Sequence, residues 1–218
     1  MEKAIQFFIY GHAFLGFIAL CSGFISLIVI KGGPVHRKSG KVFYYSMLCS
    51  TSAAILIATL PGHESPPLFS IGIFSTYFLL TGYRALRFKN QGNSLVADRI
   101  ICWLMLTTGL IMIIYEPLIR QKINILMLAF GTAGIIFSVR DLMLFNKPDF
   151  LKKNWLNLHL SKMIAAYIAA VTAFIVVNNV IPGIYAWFAP GIIGGFFIRY
   201  WIQKLRQKSH TKLEQETA

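Results

Sequence analysis

Eight polar residues stand at the ends of apolar runs and are the places where this chain could do chemistry: His36, Arg37, Arg84, Arg140, Asp141, His159, Lys162 and Arg199. Two imidazoles and a carboxylate, His36, Asp141 and His159, are a donor set suited to a divalent metal such as zinc or non-haem iron. A metal held there would activate water, and the chain would be a metal-dependent membrane enzyme. Arg84, Arg140 and Lys162 offer cations for a small anion or a lipid headgroup. The plain alternative is structural. Cations at a membrane edge orient the chain and reach for headgroups, and Asp141 needs an ion-pair partner, with Arg84, Lys162 and Arg199 as the candidates. The three metal-ligand candidates come from different segments, so spacing alone does not bring them together.

His12 lies inside the first apolar run. An ionisable residue within a membrane is a functional candidate by default. Imidazole is a usual axial haem ligand, so haem b or a quinone-linked redox role is one reading. A hydrogen bond between helices, to Tyr77, Ser22 or a backbone carbonyl, is the other. The chain contains no G-x-S-x-G, H-E-x-x-H, C-x-x-C-H or P-loop motif and no H-x-x-x-H pair. Cys21, Cys49 and Cys102 are odd in number and sit among apolar residues, so no disulfide framework follows.

The elements that must position these residues are membrane spans. The chain has 218 residues, 56% of them hydrophobic and 13% charged, with a mean hydropathy of +0.62. Soluble domains carry roughly 25% charged residues, and apolar runs here approach the ~20 residues that cross a bilayer. We expect an all-α integral membrane domain over 1–203 and a loose polar tail over 204–218. Seven spans are expected: 4–30, 42–60, 68–86, 100–115, 123–139, 155–179 and 184–202. Gly33 and Pro34 read as helix breakers in a basic loop, and Pro117, Pro148 and Pro182 as ends or turns. Pro190 is expected to kink the last span, and Gly191 and Gly195 to pack it against a neighbour. The sixth span reads as central, because His159, Lys162, Met163, Ala166, Ala170 and Ala173 share one helical face.

The formal net charge is +13. It sits in short loops rather than along one surface, which argues against nucleic acid. Eighteen of the 21 Lys and Arg fall in alternate loops and the tail, and the other side holds only Lys3, Arg120 and Lys122. The positive-inside rule then puts the amino terminus outside and the carboxyl terminus in the cytoplasm, with anionic lipids of the cytoplasmic leaflet as partners.

His12, His36-Arg37-x-x-Gly40, Arg140-Asp141, His159-x-x-x-Met163 and Thr172-Ala173-Phe174 resemble the pattern of the domain of unknown function 2306 family, across about His12 to Asn178. The resemblance implies a multi-pass protein of the bacterial cytoplasmic (inner) membrane. It implies no activity. The reading favoured by the residues is a binding protein with a polar pocket at the cytoplasmic membrane edge.

Overall fold

A computed structural model describes residues 2–90, 92 and 94–217; for Glu2, Ala4, Glu116, Arg120, Arg206 and 208–217 it describes the backbone alone. Among the described residues 84% are helical and none is in a strand. Seven helices follow one another: α1 Glu2–Ile28, α2 Pro34–Ile57, α3 Pro66–Arg84, α4 Val96–Arg120, α5 Ile125–Leu144, α6 Pro148–Val177 and α7 Tyr185–Thr217, with a 3-10 turn at Ala85–Lys89 after α3. Five of them, all but α3 and α7, contain stretches long and apolar enough to cross a membrane.

The surface is the reverse of a water-soluble protein's. Phe7, Phe14, Ile111 and Phe196 are 74, 66, 61 and 71% exposed, while Asp98 and Asp141 are nearly closed off at 2 and 5%. Large apolar side chains facing outward in such numbers need an apolar surrounding.

Several expected boundaries shift. Pro34 and Pro148 do not break helices; they begin them, as the residues without a needed N–H at the first turn. His36, Arg37, Lys38 and Lys41 therefore lie on the opening turns of α2, not in a loop. α4 begins at Val96 and runs through Pro117 to Arg120, which takes in Asp98 at its first turn. The backbone of the tail continues the helix of α7 to Thr217; the His210 side chain lies outside the described residues.

α3 is the innermost helix, packed against α2, α4, α5 and α6. Its low hydropathy comes from Ser70, Ser75, Thr76, Tyr77 and Thr81, which would be costly beside lipid. Ser70, Thr76 and Thr81 instead return their hydroxyls to carbonyls one turn back, at 2.8, 2.9 and 2.7 Å. α6 shares the interior, packed on α1, α3, α5 and α7, with Ala166, Ala169 and Ala170 buried. Small residues bring the backbones together. A Cβ on Gly82 of α3 would lie 3.0 Å from Lys162 Cβ and from the Met163 amide nitrogen of α6. Gly109 of α4 and Gly131 of α5 meet face to face, each with the other's carbonyl oxygen 2.8 Å from where a Cβ would stand. The expected Gly191/Gly195 packing is corrected: a Cβ at either position would meet nothing, and Gly194 is the residue that presses on α6, at Ile168.

Candidate functional site

The polar groups of α3, α4, α5 and α6 resolve into two ion pairs. Asp141 of α5 points inward, and one of its oxygens, Oδ2, accepts from both Tyr77 Oη of α3 at 2.5 Å and Lys162 Nζ of α6. The Asp141 and Lys162 side chains are 8 and 13% exposed. Lys162 Nζ also stands 5.5 Å over the Tyr77 ring, a cation–π contact. The second pair is bidentate. Arg84 Nε donates to Asp98 Oδ1 at 2.8 Å and Nη2 to Oδ2 at 2.7 Å, the geometry that suits a guanidinium best. Asp98 stands in the first turn of α4, where the helix dipole favours a negative charge. Between the two carboxylates is a narrow cavity walled by Thr81, Phe88, Leu144, Leu158 and Lys162, with free space for about one water.

Beside these pairs stand two histidines whose rings are held the same way. His36 Nδ1 is 3.1 Å from the Ser26 carbonyl oxygen of α1, and His159 Nδ1 is 2.8 Å from the Gly82 carbonyl oxygen of α3. A carbonyl only accepts, so Nδ1 carries the proton in each ring and Nε2 is the atom left for a ligand. The register of the two histidines follows from the aromatic contact between Phe43 and Tyr167, 6.0 Å between centroids. His36 precedes Phe43 by seven residues and His159 precedes Tyr167 by eight, about two turns in each case. The Ser26 carbonyl also accepts from Lys31 Nζ at 2.9 Å, so a cation stands against His36. Burial holds the Lys31 ammonium below the usual lysine range.

The expected metal set is corrected. Among the described residues no three His, Cys, Asp or Glu side chains are grouped as metal ligands. Asp141 is taken by Lys162 and Tyr77, which leaves His36 and His159 without a carboxylate. Of the expected anion-holding cations, two stand in ion pairs and one on the surface. Lys162 and Arg84 are each neutralised by a carboxylate, and Arg140 is exposed on α5 beside Asp141 in sequence but not paired with it. His12 bonds across to α2: its Nδ1 lies 2.9 Å from both the carbonyl oxygen and Oγ of Ser50, and Ser50 Oγ donates to the His12 carbonyl at 3.0 Å. Of the three expected partners the backbone carbonyl is the one found, that of Ser50, and neither Tyr77 nor Ser22 takes part.

Two residues of the site, Asp98 and Tyr77, were not placed in it from sequence. Asp98 sits among polar residues that read as a loop; its signal is that it is one of only 8 acidic residues and begins an apolar run. Tyr77 is one tyrosine among nine, and nothing local marks it. Compared with protein-family models, curated proteins and solved structures, the chain matches none of them.

Proposed function

We propose that this chain is a seven-span protein of the bacterial cytoplasmic membrane, amino terminus outside, whose inner edge binds a small anion or an anionic lipid headgroup through His36 and His159. The observation that carries the binding reading is the pair of Nδ1 anchors. Each leaves its Nε2 atom without a partner among the described residues. The surroundings favour an anion over a metal cation. The nearby carboxylates are spent on Lys162 and Arg84, while Lys31 shares a carbonyl with His36. Tyr77, Asp141 and Lys162 then serve as a fixed polar floor that keeps α3, α5 and α6 in register. The family resemblance adds the bacterial multi-pass setting and no chemistry.

Two measurements test this reading. A fluorescent protein fused after Ala218 should glow, because it folds only in the cytoplasm, and one inserted at Gly62 should stay dark. A dark carboxyl-terminal fusion would overturn the orientation. For the site, binding of phosphatidylglycerol to the purified protein should strengthen as the pH is made acidic enough to protonate the two imidazoles. His36→Ala combined with His159→Ala should flatten that dependence. An unchanged pH profile in the double variant would remove the two histidines from the site.

A further inference from the structure

We propose that the corner where the α1–α2 turn meets α7 is a phosphate site, with Lys31, Lys204 and the Trp201 indole N–H as its donors. Lys31 Nζ and Lys204 Nζ stand 4.7 and 5.1 Å from the centroid of the Trp201 ring. Each gains from the ring's electrons, but together they place two positive charges about one side chain. No Asp or Glu occurs between residues 26 and 42 or between 196 and 205 to balance them.

Hydrogen bonding is lopsided in the same sense. Trp201 Nε1 is buried and meets no acceptor among the described residues, and a buried donor without a partner calls for an explanation. Indole and ammonium groups only donate. Lys31 spends two of its three N–H groups on the carbonyls of Ser26 and Leu27 and keeps one. Among the described residues the corner therefore lacks both an acceptor and a negative charge. A water supplies the first alone. A metal ion supplies neither. A phosphate oxygen supplies both, with further oxygens to spread over three donors. Tyr200 and Trp201 also form the kind of aromatic pair that sits at headgroup depth.

The site deepens the anion-binding reading above and rests on it for the class of ligand. The same chemistry fits a glycerophospholipid headgroup and a free phosphate ester. The full chain, purified in a neutral detergent, should retain one phosphatidylglycerol in native mass spectrometry and resist heat better with it than with phosphatidylcholine. Trp201→Phe keeps the ring and removes the N–H; Lys204→Gln removes a charge from an exposed residue, so it leaves the fold in place. Each should weaken phosphatidylglycerol binding by roughly five- to tenfold. Displacement by inorganic phosphate assigns the site to free phosphate esters, and resistance to it assigns the site to lipid; both support the corner. Equal binding of the two lipids overturns it, as does full affinity in both folded variants. If those variants bind normally while the His36/His159 double variant does not, the anion reading stands and this corner falls.

Discussion

Lys162→Ala should lower stability by about 3–5 kcal/mol, the usual loss when one partner of a buried ion pair is removed. The Asp141 carboxylate remains inside the bundle, 8% exposed, with only the Tyr77 hydroxyl to offset its charge. The diagnostic comparison is with variants that remove the charge as well. Asp141→Asn added to Lys162→Ala should recover much of the loss, since a neutral amide is far less costly to bury. Asp141→Leu with Lys162→Met should come closer still, because well-packed apolar replacements of a buried pair are often neutral or better. Thermal unfolding in one detergent, followed by circular dichroism, reads all three. Equal midpoints for Lys162→Ala and its Asp141→Asn partner would mean that the pair is not what holds α5 to α6.

That pair shows what the chain discloses and what it keeps back. Lys162 one turn inside an apolar run, and Asp141 at the end of another, announce themselves because a lone charge there is expensive. Their meeting is legible only as one of three candidate pairings for Asp141, with Arg84 and Arg199 the others, since α5 and α6 fix the angle at which they face. The helical class and the approximate spans are legible for a similar reason: an apolar run must be buried or face lipid. Helix starts are not. Pro34 and Pro148 are ambiguous in isolation, because the same missing N–H that stops a helix also suits its first turn. Reading them as breakers put His36 in a loop, when it rides the first turn of α2 with its ring on the Ser26 carbonyl. Asp98 was overlooked because its partner, Arg84, lies across the 3-10 turn and the loop that follows. α3 hides its central place because hydropathy rewards lipid-facing helices, and an interior helix in a membrane protein is free to be polar.

Gly82 should be the least replaceable glycine of the α3–α6 seam. A methyl group there would stand 3.0 Å from Lys162 Cβ, from the Met163 amide nitrogen and from Met163 Sδ. The sulfur can move, being near the end of a flexible chain; the backbone atom cannot. Gly82→Ala should therefore cost about 1–3 kcal/mol, the range for overpacking, and Gly82→Val more. The effect should also be specific. The Gly82 carbonyl is the acceptor that fixes His159, and Lys162 is the neighbour that would be pushed, so α6 shifts at both polar residues at once. Loss of stability should come with loss of the pH-dependent anion binding. Gly191→Ala and Gly195→Ala are the controls. They lie in the G-x-x-x-G pattern that spacing would select, yet a Cβ at either position meets nothing within 4 Å, so both should stay within about 0.5 kcal/mol of the parent, as open surface positions do. A Gly82→Ala protein as stable as those two would show that α3 and α6 do not touch there, and the frame assigned to His159 would go with it.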